Sequence, residues 1–501
     1  MPDDHGKPPP QIMKQQFAMT DSLSPNSLPT GERDEVSLRE FHVKKPRIVV
    51  FSILFPNAAQ PGAGVFIRER MFRVGKVLPL MVVAPVPWFP FQGFIRLFRP
   101  HFRPVPPYRE IQDGIEVLHP RFFSIPGLFK SLDGFFLALS TFVLMRRLQR
   151  ERCCDIIDSH FAYPDAYAAS LLGKWLALPF TVTLRGTESR LAKKAAFRKR
   201  MTLALQAAAR IFSVSASLRQ VALSLGIPES RTEVVGNGVD TMKFHPIDKA
   251  DARTRFGLPA DAPVLVSVGG LVERKGFHRV IDCLPALLES FPALHYLIVG
   301  GPSPEGDMGA QLRAQVSRLG LEGHVTFTGP MKSGVLKEPL SAADVFVLST
   351  RNEGWANVFL EAMACGLPVI TTNVGGNAEV VCKPELGTIV PFNPNNPLGV
   401  GRASARRVGL KPDLQPADFI SAVAANEQSG FDEKSALEQA LKAALERKWD
   451  RSKIIAYANE NTWDSRIAIL VEAFLDIARH NKTGEPIMPP RAQHKGSETC
   501  R

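Results

Sequence analysis

A chain of 501 residues exceeds what one compact domain holds and suits two, each with a sizeable core. An apolar fraction of 45% with 22% charged residues excludes a wholly disordered chain, a collagen-like fibre and a multi-span membrane protein. The net charge of +12 is uneven: residues 41–240 hold 28 Lys/Arg against 13 Asp/Glu, residues 1–40 carry −3, and residues 241–501 balance. One half is therefore basic and should face something anionic.

Residues 1–44 are polar, Pro/Ser-rich and unpatterned, which reads as a tail; MPDDHGKPPP is acidic and no apolar stretch follows it, so no secretory leader is expected. At Arg47 the pattern changes. Arg47 to Leu54 is a short continuous apolar run, as expected of a strand buried on both faces. Similar runs follow at 80–84, 155–159, 180–184 and 210–214, then at 264–268, 295–300, 325–327, 344–348 and 368–372, with helix-length spacers between them. That rhythm implies right-handed βαβ crossovers and parallel sheets. Ten strands and a charge break near residue 240 divide the chain into two doubly wound, Rossmann-like α/β domains, 45–243 and 244–460, facing a central cleft. Pro, Asn, Gly and Arg crowd 393–432, an inserted loop. A C-terminal helix within 461–480, with Ile467, Leu470, Val471 and Phe474 at helical spacing, is expected to cross back to the first domain, and 481–501 reads as a second tail.

The six cysteines show no C-x-x-C pair and no disulfide framework, a usage that fits a reducing cytosol. No P-loop motif is present. Gly62-Ala-Gly64 is only two-thirds of a dinucleotide fingerprint, so a nicotinamide enzyme is disfavoured; the segment reads equally as a plain turn or as a substrate-contacting loop. The informative stretch is Arg351-Asn-Glu-Gly-Trp-Ala-Asn-Val-Phe-Leu-Glu361. A strand ends before it, Glu353-Gly354 makes a turn, and a helix begins near Asn357 and is stopped by Gly366 and Pro368. Free N–H groups at that helix start favour a diphosphate, and Glu353 and Glu361 can accept hydrogen bonds from sugar and ribose hydroxyls.

Glu353 and Glu361 form the E-x7-E pattern, and with it Val268–Gly276, Val235–Asp240, Leu297–Gly301 and Thr371–Glu379 occur in order; together they resemble the retaining, nucleotide-sugar-dependent family 4 glycosyltransferases of the GT-B fold. The resemblance spans roughly 46–395 and 433–478. It implies that Lys275 neutralises the donor diphosphate, with Arg274 standing in for an Arg that many relatives carry where this chain has Gly270. It implies further that the amides of Asn357 and Val358 hold the phosphates, that Glu361 binds the nucleotide ribose, and that Glu353 contacts the transferred sugar. His160, at the end of the run 155–159, resembles the family's active-site His facing the donor sugar. Arg185 stands in Thr183-Leu-Arg-Gly-Thr-Glu188 where many relatives have His-Gly-x-Asp, and is a candidate contact for an anionic acceptor or the leaving phosphate.

Catalysis of this kind stabilises a departing diphosphate electrostatically, so no metal and no cofactor is expected. The implied partners are a nucleotide-sugar donor and a glycan or lipid-linked acceptor, in polysaccharide or glycoconjugate biosynthesis. Phe91 to Arg103 interleaves aromatics with Arg96, Arg99 and Arg103, and Lys193, Lys194, Arg198, Lys199 and Arg200 form a second basic cluster. Such surfaces suit an anionic membrane, and without a reader motif nucleic acid is not expected. A cytoplasmic enzyme, with a peripheral seat at the inner face of the inner membrane as one reading of its basic half, is the expectation. A non-catalytic nucleotide-sugar-binding subunit and a nucleotide-sugar epimerase are the rivals.

Overall fold

The structure, a computed structural model, describes residues 45–98, 102–303, 305–392 and 432–483. The two tails and the 393–432 loop read from the sequence lie almost wholly outside these residues. In chain order the strands of the first half are β1 (Ile48–Phe51), β2 (Leu80–Val83), β3 (Val86–Trp88), β4 (Arg109–Gln112), β5 (Ile115–Leu118), β6 (Arg121–Phe123), β7 (Ile156–His160), β8 (Phe180–Leu184), β9 (Arg210–Ser213) and β10 (Thr232–Val234). Eight of them form one sheet in the order β10-β9-β8-β7-β1-β2-β5-β4, and β3 pairs with β6 apart from it. The second half contributes β11 (Val264–Val268), β12 (His295–Val299), β13 (Val325–Gly329), β14 (Val345–Leu348), β15 (Val369–Thr372) and β16 (Gly387–Val390), ordered β13-β12-β11-β14-β15-β16 and parallel throughout.

The central strands are apolar on both faces because helices cover both. β1, β8, β9 and β11 are buried at every position. In each sheet the winding reverses at one place: between β1 and β7 in the first, between β11 and β14 in the second. Ligands of doubly wound sheets bind beyond the strand ends at such reversals. The loops after β1 and β7 carry Gly62, Gly64 and the residues following His160; the loops after β11 and β14 carry Arg274, Lys275 and Glu353.

All ten strands expected from continuous apolar runs are present, within a residue or two of their ends except at Ile53–Leu54, which lie beyond β1. The short strands β3 to β6, β10 and β16 were not anticipated. β4 and β5 form the sheet's one antiparallel pair, joined at Asp113-Gly114 with φ of 48° and 79°. Asp-Gly with both φ positive is the turn that matches hairpin twist, and that dipeptide was the available signal.

The helix Trp463–Thr483 belongs to the core of the first half. Phe474 and Ile477 are fully buried beside Ile48, Val50 and Phe212, with the Phe212 and Phe474 rings 6.4 Å apart. The chain thus passes between halves twice, and the two passes touch: Val239 N donates to Asn461 O at 3.0 Å, and a Cβ on Gly238 would meet Thr462 backbone at 2.5 Å. Phe474→Ala should leave a cavity under β1 and β9 and cost about 3–5 kcal/mol, read as a lower urea midpoint. An unchanged midpoint would mean the helix is not part of that core.

Candidate active site

Gly276 (φ 76°) ends the loop after β11 and opens the helix Phe277–Ser290. A Cβ there would fall 1.8 Å from Ser349 O, so only glycine lets this loop lie against the end of β14. The approach is sealed by Arg351 N donating to Arg274 O at 2.7 Å. Two cations and a carboxylate are thereby brought together. Lys275 Nζ donates to Glu353 Oε1 at 2.5 Å, and Arg274 Nη1 reaches the same oxygen at 3.0 Å. Arg274 is fixed from its other side by Glu305, through Nε at 2.6 Å and Nη2 at 2.7 Å. Gly270, where an Arg was the common alternative, has its Cα facing Ser303, whose Cβ would lie 3.0 Å from an added Cβ. An added side chain would press on Ser303 there, and Arg274 is the cation the loop presents instead.

Asn357–Ala364 is helical, preceded by Ala356 with no side-chain cap, so the first N–H groups, at Asn357 and Val358, are open. Asn357 is held by Asn237, whose Nδ2 donates to its Oδ1 at 2.7 Å. Glu361 lies one turn further on and does not join Glu353. Its charged neighbours are Lys243 and Glu69, and burial pushes its carboxyl up to about 7 against the pull of Lys243.

The cleft between the halves is closed on backbone. A Cβ on Gly354 would stand 2.2 Å from Arg185 O, and one on Gly376 would stand 2.5 Å from Gly354 O and 2.9 Å from Ser215 Cβ. Glu379 crosses over to the helix Ala216–Ser224, accepting from Ala216 N at 2.6 Å and Ser217 N at 3.0 Å. An acid at a helix N-terminus is favoured by both the free N–H groups and the macrodipole. Beside this contact a cavity of about 300 Å³ is lined by Ser189, Ser217 and Leu218 from one half and Asn352, Glu353 and Gly375 from the other.

His160 is fully buried at the end of β7. Its Nδ1 accepts from Arg185 Nε at 3.2 Å, and its Nε2 lies 3.3 Å from Asp158 Oδ2. Burial and the neighbouring Arg185 pull its pKa down to about 4, so the ring is neutral and its proton sits on Nε2, toward Asp158. The structure thus groups His160 with Arg185 and apart from the Glu353 cluster. Gly64, at φ 65°, starts the helix Val65–Gly75 and could not hold a Cβ, which would lie 2.4 Å from Leu54 O; Gly62 is an exposed turn residue. The next aromatic, Phe66, lies under the Arg185 guanidinium at 5.1 Å. Sequence reasoning missed Asp158, Glu305 and the contact made by Glu379. Glu379 ended a quoted motif without a role, and Asp158 stands two residues before His160 on the same strand.

Two family models match the chain: Glycosyl transferases group 1 over residues 248–397, and Glycosyltransferase Family 4 over residues 94–243. A D-inositol 3-phosphate glycosyltransferase of Jonesia denitrificans is 30% identical over 332 residues, 61% of this chain and 77% of that protein. The chain belongs to glycosyltransferase family 4. TuaC of Bacillus subtilis, a glycosyltransferase assigned to teichuronic acid biosynthesis, is 29% identical over 351 residues, 69% of this chain and 85% of TuaC. The fold of this glycosyltransferase is shared with the sucrose-phosphate synthase of Thermosynechococcus elongatus, at TM-score 0.58 and 19% identity, covering 86% of this chain and 98% of that one. The two sheets are therefore the paired Rossmann-like domains of GT-B, in an enzyme that transfers a glycosyl group from a nucleotide-sugar donor.

Gly354 has no left-handed φ, so alanine there is disfavoured only by the facing Arg185 carbonyl. Gly354→Ala should hold the halves apart, lowering turnover about ten- to a hundredfold, since misplacement near 1 Å costs that much. A larger radius of gyration in solution scattering with an unchanged melting temperature is the expected companion result; turnover at the wild-type rate would show that this closed contact is not used.

Proposed function

We propose that the glycosyltransferase moves a sugar from a nucleotide-diphosphate sugar, with retention of anomeric configuration, to a glycan or lipid-linked acceptor at an anionic membrane surface. The observation that carries the donor half of this reading is the pair Arg274 and Lys275 converging on Glu353 beside an uncapped helix start. Departure of a nucleoside diphosphate leaves negative charge on the phosphate oxygens, and preorganised cations and amides are what lower that barrier. Arg274, Lys275 and the amides of Asn357 and Val358 act on the diphosphate in this reading. Glu353 offers its carboxylate to the hydroxyls of the transferred sugar, and Glu361 offers its own to the ribose. The acceptor's proton passes to the leaving phosphate oxygen on the face from which the diphosphate departs, which gives retention. Closure at Gly354 and Glu379 limits access of water to the donor.

The surface favours a membrane-borne acceptor. Among the described residues, thirteen of the eighteen exposed large apolar side chains fall between 91 and 143. Phe91, Phe94, Leu97 and Phe98 are 67–85% exposed on or beside the short helix Gln92–Phe98, and Leu132, Phe135, Leu139 and Val143 make an outward stripe along the helix Asp133–Arg150. The two are tied into one face. Arg96 donates to Phe102 O and Arg103 O, Arg103 to Ser124 O, and Lys130 to Ser124 Oγ and Asp133. Soluble surfaces seldom carry so large an apolar patch, and basic residues around it suit anionic lipid. No helix among the described residues is long and apolar enough to cross a bilayer. Arg99, named with this face from the sequence, lies outside the described residues.

Three measurements bear on these statements. Lys275→Ala should lower kcat about 10²–10³-fold with whichever of the UDP- or GDP-sugars supports turnover; a loss confined to KM would remove the leaving-group role. Carboxylates bind hydroxyls better ionised, so donor affinity should rise as pH climbs through about 7, the value for Glu361, and Glu361→Gln should flatten that profile. Vesicles with anionic phospholipid should sediment the wild-type protein, while Phe94→Ser with Phe98→Ser should weaken this at least tenfold. Equal binding by both proteins would detach the apolar face from the membrane.

A further inference from the structure

The first half carries a second set of cations that the diphosphate chemistry does not use. Arg70 is fully buried and Arg185 is 9% exposed, and the two are close enough that each disfavours the other's charge. Arg70 Nη2 donates to Val235 O and Gly236 O, which fixes the passage between the halves, while its Nε and Nη1 are buried without a partner. Arg185 is aligned more fully. Its Nε donates to His160, itself set by Asp158, which accepts from Thr181 Oγ1 at 2.6 Å; its face rests on Phe66. Both Nη1 and Nη2 of Arg185 are buried and have no hydrogen-bond partner, and the hydroxyl of Thr187 nearby has none either.

Asp158 favours the charge of both arginines and Glu188 that of Arg185, but neither carboxylate hydrogen-bonds a guanidinium. Glu188 accepts from the N–H groups of Ala162, Arg185 and Gly186, and Asp158 Oδ1 accepts from Thr181 while its Oδ2 lies 3.3 Å from His160 Nε2. No ion pair among the described residues includes Arg70 or Arg185. Burying a guanidinium whose terminal nitrogens bond nothing is costly, and a planar fork with both of them unpartnered fits two oxygens of one carboxylate or phosphate. The place is also telling. Arg185 O faces Gly354, one residue from Glu353, so the backbone that carries the fork stands where the two halves meet.

We propose that Arg185, backed by Arg70 and oriented by the Asp158–His160 pair, is a second anion site in the cleft, taking a carboxylate or phosphate carried by the transferred sugar or by the acceptor. The site rests on the glycosyl-transfer reading of the cleft but is separate from the Arg274–Lys275 cluster. Burial pulls Arg185 down only to about 9, so the fork stays charged at neutral pH. The same neighbours give His160 a positioning role: it holds the fork by Nε and leaves the other two nitrogens without a partner.

Calorimetry on the full chain distinguishes the two sources. If the sugar carries the anion, UDP-glucuronate or GDP-mannuronate binds at least tenfold tighter than UDP-glucose or GDP-mannose, Arg185→Gln removes that preference, and Arg185→Lys restores part of it. If the acceptor carries it, neutral and anionic donors bind alike, but inorganic phosphate or glucose 6-phosphate raises the melting temperature of the wild type and not of Arg185→Gln. Either result supports the site, provided both variants give the wild-type circular dichroism spectrum. Donor ratios and phosphate stabilisation that are the same in wild type, Arg185→Gln and Arg185→Lys overturn it. Free UDP and GDP report the diphosphate cluster alone, so failure of both to bind sinks the donor reading without touching the phosphate measurement.

Discussion

One carboxylate oxygen organises the donor side of the cleft. Glu353 Oε1 receives Lys275 and Arg274, two cations from adjacent positions that would otherwise repel across the loop after β11. The side chains of Lys275 and Glu353 are only 14% and 11% exposed, so solvent screens this contact less than an ordinary surface pair. The bond also couples loops. The β14 loop cannot move without dragging both cations, and Arg274 extends the tie through Glu305 to the loop after β12. In the proposed reaction a diphosphate drawn to the cations would compete with Glu353 for them, so that donor arrival would also release that carboxylate toward a sugar.

Where the halves meet, the fit is between backbones. A Cβ on Gly354 would fall 2.2 Å from Arg185 O of the other half, while Gly375 and Gly376 let the loop after β15 lie against Glu353 O and Gly354 O of their own half. Side chains can reorient to relieve a clash, whereas a carbonyl in a packed loop cannot, so Gly354 sets how closely the two halves approach. Glu379 sets the complementary attraction, a carboxylate at a helix start on the opposite half. The contact thus has a backbone stop and a polar latch, and the two passages of the chain between halves are joined beside each other at Val239 and Asn461.

Much of this was legible in the residues, for reasons that also mark the boundary. Parallel strands buried on both faces, such as Val264–Val268, write themselves as unbroken apolar runs, and all ten central ones were found. Edge strands such as Arg109–Gln112 are half exposed and charged, and carry no such run. Arg274, Lys275 and Glu353 were legible because one ordered set of motifs contained them. Glu361 follows Glu353 in the same motif, one turn inside the helix Asn357–Ala364, but spacing along the chain says nothing about the neighbours contributed by Lys243 and Glu69 from elsewhere. Arg70 was invisible for the same reason: it reads as one more solvated charge on an amphipathic helix, and only the fold reveals that it is fully buried.

The two halves solve different problems, and the first half's geometry links two of its own. The apolar stripe on Asp133–Arg150 starts at the helix's N-terminal end, where Gly134 N donates to Tyr163 OH and Tyr163 OH in turn donates to Lys130 O. Tyr163 follows directly on β7 and His160, at the strand ends where ligands bind. The exposed apolar face is therefore joined, through Lys130, Tyr163 and the ring of Phe197, 5.1 Å from that of Tyr163, to the segment that follows His160, the partner of the Arg185 fork. If the face lies on a bilayer, a lipid-linked acceptor needs no extraction into solvent. Its headgroup can cross that junction while its chains stay in the membrane, and a phosphate or carboxylate near the linkage would meet Arg185 before it met Glu353. An acceptor with an anion at that position would be favoured by charge, and a neutral one would leave the fork unpaired when the cleft closes.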